Sequence, residues 1–387
     1  MRICVVTGIF PPDIGGPASY VALLSEGLRS IGCEVEVVTY ASAATGRKFP
    51  FPIHRISRSI PLPIRLLVAL VKVVRAAVRS DVIYCNGLVV PSAVGSLLTR
   101  KPLVTKVEGD FAWERARNLR LTSDSITAFQ TRRQNGKVEA LRWVRNWCLE
   151  HSREVITTSR FLAKLIRGWG FAGEIEVIEN AVEEGFGKEA AGLTKEECRA
   201  RIGFSEKRVV VSAGRLVSWK GFRGVVLAAR SLPAEAVVLI VGEGPERANL
   251  RELIASEGLG AKAFLMKKAP RKELAVYLKA ADCFVLNSGY ESCSHVVLEA
   301  MKMGAPVVAA RAAGMPELIA HGENGFLFDV DDLSEMVWCI KECLYGNTGE
   351  RLAAEAARRL SRYNWPDVFS RTVRVLEREA GRGRCTS

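Results

Sequence analysis

Runs of β-branched residues alternate with helical periodicity from the first residues of this chain, and that alternation restricts it to parallel sheets with crossover helices. Ile3 to Val6 reads as a strand, a helix follows from about Pro17 to Ser30, and Glu34 to Thr39 reads as the next strand. A second series opens at Arg208 with RVVVSAG and continues at Val237 (VVLIVGEGP), Ala263 (AFLM), Cys283 (CFVLNS) and Pro306 (PVVAA). The expected class is therefore α/β, with two doubly wound parallel sheets in tandem, and 387 residues suit two domains of ordinary size. The break is placed between residues 185 and 186, inside VIENAVEEGFGKEAAGLT, which is rich in Gly, Ala and Glu and shows no buried period. Residues 1–185 are expected to form the first domain and 186–360 the second; an amphipathic C-terminal helix over 361–380 is expected to close the first. Ligands are expected at the carboxyl ends of the strands, facing a central cleft.

Composition excludes several classes. Apolar residues make up 48% and charged residues 25%, the balance of a globular protein with little room for extended disorder. The opening MRICVVTGIF lacks the longer apolar core and small-residue cleavage site of a signal peptide and reads as a buried strand. Ile60 to Val78 is apolar but is interrupted by Arg65, Lys72 and Arg75, so no membrane span is expected. Ten cysteines without a CxxC pair suit reduced, buried thiols in a cytoplasmic protein, and no histidine stands at a metal-ligand spacing from a cysteine.

The net charge of +13 is unevenly spread: residues 51–150 hold 17 Lys and Arg against 7 Asp and Glu. Such a field attracts nucleic acid, anionic lipid or a phosphorylated substrate. The absence of a nucleic-acid recognition motif or an aromatic series argues against the first.

Three motifs carry chemistry. The first strand ends in GIFPPDIGGPASY, where Gly15 and Gly16 precede Pro17 at a helix start. Free helix amides that a ligand reaches closely past glycine make an anion site, although a tight turn also explains the pair. The loop lacks the GxGxxG spacing of nicotinamide-binding folds, which removes an oxidoreductase reading. In SAGRLVSWKGF, Arg215 follows a strand and Lys220 opens the next helix; two cations there suit a diphosphate, with a solvated surface pair as the alternative. In YESCSHVVLEAMKMGAPVV, Glu291 follows a strand, Ser292 and Ser294 are candidate helix caps, and Glu299 lies among Val297, Leu298 and Met301. A carboxylate in an apolar stripe needs partners, and the vicinal hydroxyls of a ribose are suitable ones. His295, one turn into that helix, serves either as a structural group bonded to backbone or as a donor contact.

GRLVSWKG, VGEGPE, ADCFVLNSGYESCSHVVLEAMKMGAPVVAARAAGMPELI and NGFLF together resemble the C-terminal domain of retaining glycosyltransferases of the GT-B fold, family four. The likeness is close through residues 205–330 and looser before that. The resemblance implies that Arg215 and Lys220 hold the diphosphate of a nucleotide-sugar donor, Glu299 holds its ribose hydroxyls and Glu291 lies beside the transferred sugar. Gly15 and Gly16 would approach the phosphate or the acceptor, and no metal would be needed, because cations and helix amides neutralise the leaving diphosphate. Many members carry a histidine after the strand that corresponds to PLVTKVEGDFAWE, whereas this chain has Glu108, Gly109 and Asp110. Asp110 is the candidate to touch the donor sugar or the acceptor hydroxyl, with a turn residue as the alternative. AFLMKKAP has Met266 where members commonly have glycine; Lys267 and Lys268 are candidates for a donor contact or a solvated loop.

The resulting expectation is transfer of a hexosyl unit to a glycan or lipid-linked acceptor, with a sugar-nucleotide epimerase or hydrolase as the rival. Residues 60–79, basic and amphipathic, suit either contact with an anionic membrane surface or an ordinary crossover helix.

Overall fold

A computed structural model describes residues 1–13, 15–41 and 48–384. The chain divides into two compact units, Met1–Glu179 with Pro366–Ser387, and Asn180–Trp365.

The first unit is built on seven strands: β1 (Arg2–Thr7), β2 (Glu34–Ala41), β3 (Ile53–Ser57), β4 (Val82–Asn86), β5 (Leu103–Val107), β6 (Glu154–Thr157) and β7 (Glu174–Val177). They are hydrogen-bonded in the order β3-β2-β1-β4-β5-β6-β7, every pair parallel. β4, β5 and β6 are buried along their whole length, as strands covered by helices on both faces must be. The order reverses direction between β1 and β4, so the loops after these strands diverge and leave a crevice at their carboxyl ends.

The helix Trp365–Arg384 belongs mainly to this unit although it comes last in sequence. Val375 and Leu376 are buried, Arg371 reaches Glu176 at 2.9 Å, and Arg378 pairs with the buried Glu154. Gly27 makes room for the Phe369 ring, which a β-carbon there would approach to 2.6 Å.

The second unit carries β8 (Arg208–Ala213), β9 (Ala236–Val241), β10 (Ala263–Met266), β11 (Cys283–Leu286), β12 (Val307–Ala310) and β13 (Phe326–Phe328). Their order is β10-β9-β8-β11-β12-β13, again all parallel, with the reversal between β8 and β11.

The sequence reading differs from the structure at the junctions. The segment taken as a break is packed: Val182, Phe186 and Ala190 join the core of the second unit, and the Val182 amide donates to the Tyr363 carbonyl at 3.2 Å. They stand four residues apart, but the segment is irregular apart from a 3-10 turn over Lys188–Ala190, so no helix announces the packing. The closing helix starts at Trp365, after a short 3-10 turn over Leu360–Arg362, and not at residue 361. Nine cysteines are described and all are buried free thiols; Cys385 lies outside the described residues.

Candidate functional site

In the second unit, the loops that leave β8 and β11 at the reversal point are stitched to each other. Asn287 donates through Nδ2 to the Gly221 carbonyl at 2.9 Å, and the Gly289 amide donates to the Trp219 carbonyl at 2.8 Å. Gly221 sits at φ +62°, and a β-carbon there would fall 1.9 Å from the Asn287 oxygen, so glycine is required by both conformation and space. This stitching brings Lys220, at the end of the short helix Ser218–Lys220, against Glu291, and the two side chains form a partly buried ion pair. Glu291 is held from the other side: its carbonyl accepts the Gly314 amide at 2.8 Å, across an approach so close that a β-carbon on Gly314 would lie 1.8 Å from the Ser292 oxygen.

Arg215 follows β8 with an exposed side chain that has no ion-pair partner among the described residues. It therefore remains available to an anion, and Lys220, though paired with Glu291, is still partly exposed beside it. Lys267 and Lys268, after β10, are exposed as well.

The helix His295–Lys302 follows this loop. Ser294 occupies its N-cap position and is buried, but its hydroxyl makes no capping bond, so the cap expected from sequence is not formed. His295 is half-buried. Glu299 is only 5% exposed. Its Oε1 accepts from Arg271 at 2.6 Å, and Arg271 also lies 3.6 Å from Glu183. Burial pushes the Glu299 carboxyl up to about 7; Arg271 opposes that shift and Glu183 adds to it. A carboxyl poised near neutrality in a largely apolar stripe is a functional candidate on physical grounds.

Arg271 and Glu183 escaped the sequence reading. One signal was present: Arg271 is the first residue of the helix Arg271–Ala280, where the positive end of the helix dipole disfavours a cation.

In the first unit, Gly15 is the N-cap of the helix Gly16–Ser30, with extended backbone, and Pro17 stands in its first turn. Asp110 departs from expectation. It is fully buried and caps the helix Phe111–Asn118, accepting from the Ala112 and Trp113 amides at 3.0 and 3.2 Å. Its other oxygen accepts from Gln130 at 3.1 Å and from the buried Arg145 at 2.5 Å. With both oxygens consumed and no exposed surface, Asp110 is an organiser of the loop and not a group offered to a substrate. A pocket of about 480 Å³ lies beside it, at the ends of β1, β4 and β5.

Comparison with known proteins gives the family. The model for the family described as "Glycosyltransferase Family 4" matches residues 14–185, and that for "Glycosyl transferases group 1" matches residues 194–363. The chain belongs to the family-four glycosyltransferases. It is 33% identical over 176 residues to a sulfoquinovosyl transferase of Arabidopsis thaliana, covering 44% of this chain and 34% of that one. An uncharacterized glycosyltransferase of Methanocaldococcus jannaschii is 26% identical over 97% of this chain and 98% of its own. Against several other curated relatives the match spans only about half of their length. Among solved structures, HepE of Anabaena in complex with UDP-glucose aligns with a TM-score of 0.78 at 23% identity, over 97% of this chain and 99% of that one. The fold is accordingly GT-B, two Rossmann-like domains with all-parallel sheets.

Proposed function

We propose that this glycosyltransferase moves a hexosyl unit from a nucleotide-diphosphate sugar to a glycan or lipid-linked acceptor, with retention at the anomeric carbon. The observation that carries the reading is the meeting of the Lys220–Glu291 pair with the helix His295–Lys302 at the β8/β11 reversal, the position where α/β sheets bind ligands. In this reading Arg215 and Lys220 bind the diphosphate, Glu299 takes the ribose hydroxyls, and Glu291 lies beside the transferred sugar, with Ser294 and His295 at the phosphate end of the helix. Positive charge from side chains and helix amides meets the charge that develops on the leaving diphosphate, so the reaction is expected to run without a metal. Gly15 and Gly16, at the start of the helix Gly16–Ser30, are the first unit's candidates for a contact with an anion or with the acceptor.

The first unit is the acceptor side. Its helix Leu62–Val78 has no acidic residue and leaves Leu62, Ile64, Leu67, Val71 and Val78 exposed beside Arg75 and Arg79. Exposed apolar groups flanked by cations fit the interface of an anionic membrane, which supports peripheral attachment at the cytoplasmic face and a lipid-linked acceptor. No described helix is long and apolar enough to cross a membrane.

The deciding experiment is turnover of a panel of nucleotide sugars by Lys220→Ala and Glu299→Ala proteins whose thermal unfolding matches that of the parent. Loss of transfer in both supports the assignment, and undiminished transfer in both sinks it. Nucleotide release at the same rate with and without acceptor would point to a hydrolase instead.

A further inference from the structure

The pocket at the ends of β1, β4 and β5 lies wholly within the first unit, at that sheet's own reversal point, and its 480 Å³ falls in the range of small-molecule sites. Its walls combine apolar surface from Phe111, Leu149 and Trp169 with the polar side chains of Asn86, Lys106 and Glu108.

Two observations narrow what it accepts. First, both cations in the lining are already committed. Lys106 lies 3.2 Å from Glu108 Oε1 and 3.2 Å from the centre of the Tyr20 ring, while Arg145 is bound to Asp110 and stacks over Trp169 at 3.9 Å. Glu108 and Glu114 balance the two cations of the lining, so a phosphate would find no uncommitted cation there. Second, the wall holds polar groups without hydrogen bonds. Asn86 is 6% exposed and its Nδ2 has no hydrogen-bond partner among the described residues, and Glu108 Oε1, although beside Lys106, accepts no hydrogen bond from them either. Buried polar groups in that state call for a hydroxylated ligand or water to complete them. Apolar faces next to unfilled donors and acceptors, with no free positive charge, match the faces and edges of a neutral sugar ring.

We propose that this pocket receives a neutral sugar residue of the acceptor and that Glu108, rather than Asp110, is the carboxylate that holds its hydroxyls, with Asn86 as a second contact. The proposal rests on the glycosyl-transfer reading and names the acceptor class for it. Lys106 holds the Glu108 carboxylate in place from one side, so its remaining lone pairs are preset to accept hydrogen bonds. A phosphate or lipid portion of the acceptor then lies outside the pocket.

Saturation-transfer NMR on the full chain tests this with methyl α-glucoside, methyl α-mannoside, methyl β-galactoside and the methyl β-glycoside of N-acetylglucosamine as probes, and glucose phosphate as the anionic counterpart. At least one neutral glycoside is expected to bind, glucose phosphate no better than the matching neutral probe. Affinity should fall about tenfold or more in Glu108→Gln and in Asn86→Ala, as loss of a hydrogen bond to a charged or buried group predicts. Thermal stabilisation by UDP, GDP or ADP, measured on the same proteins, should be unchanged by both substitutions and reports that the fold and donor half are intact. Binding of none of the glycosides, binding insensitive to both substitutions, or tighter binding of glucose phosphate overturns the proposal. If a nucleotide still stabilises the protein, only this inference fails; if none does, the donor reading fails with it.

Discussion

Each unit buries a carboxylate close to the carboxyl ends of its strands, and the two are solved differently. Asp110 in the first unit receives two backbone amides, an amide side chain and a guanidinium, so every lone pair that faces the protein is used. Glu299 in the second is almost as buried but has one strong partner among the described residues, Arg271, and its carboxyl is pushed up to about 7. A buried acid that is fully satisfied holds structure; one left short of partners is available to a ligand.

The largest effect that would break this contrast is on stability. Asp110→Ala strands the buried Arg145 and removes a helix cap, and should cost about 3–5 kcal/mol in denaturant unfolding. Glu299→Ala should barely change the unfolding midpoint yet lower turnover by about 10²–10³, the loss seen when one donor or acceptor of an active site is removed. A catalytic loss in Asp110→Ala at full stability would erase the distinction.

The second contrast is with pH. Ribose hydroxyls donate to the ionised carboxylate, so donor affinity should rise through pH 7 and change by about tenfold between pH 6 and pH 8. Because Arg271 draws the Glu299 carboxyl down, Arg271→Ala should move that midpoint upward. Stability runs the opposite way: a carboxyl raised on folding favours the folded state fully below about 4.5, and that contribution is lost as pH rises through about 7. Titration calorimetry from pH 5.5 to 8.5 checks the first sign, and thermal unfolding over the same range checks the second.

The smallest effect concerns the surface of the first unit. Leu67→Glu on the helix Leu62–Val78 should weaken cosedimentation with vesicles rich in anionic lipid by about tenfold without altering nucleotide binding. Equal cosedimentation of both proteins would remove the membrane reading and leave the donor half untouched.

What the sequence disclosed follows from how far each interaction reaches along the chain. Strands such as Val209–Val211 and Val237–Val241 declare themselves because a fully covered parallel strand is apolar throughout. Arg215 stands out in the sequence because a charge just past such a strand has few structural reasons to be there, and Lys220 and Glu291 stand out in the loops that follow β8 and β11. Arg271 was not, since it reaches Glu299 from another helix 28 residues earlier, and nothing local records that meeting. The same limit explains Asp110: its use as a cap is local and visible, but its burial depends on Arg145, 35 residues further on. Glu108, two positions earlier, was read only as part of the replaced histidine segment, although it lines the pocket that Asp110 does not reach.

The route of the chain, out of the first unit after Glu179 and back into it at Pro366, also orders events during synthesis. The unit that starts first is the one that finishes last. Until residues 366–384 leave the ribosome, the surface that Val375 and Leu376 will cover stays open and Glu154 waits for Arg378, while the second unit already has all of its own chain. A chain truncated after Trp365 would therefore present a complete second unit and an unsealed first one, the species a chaperone is built to hold.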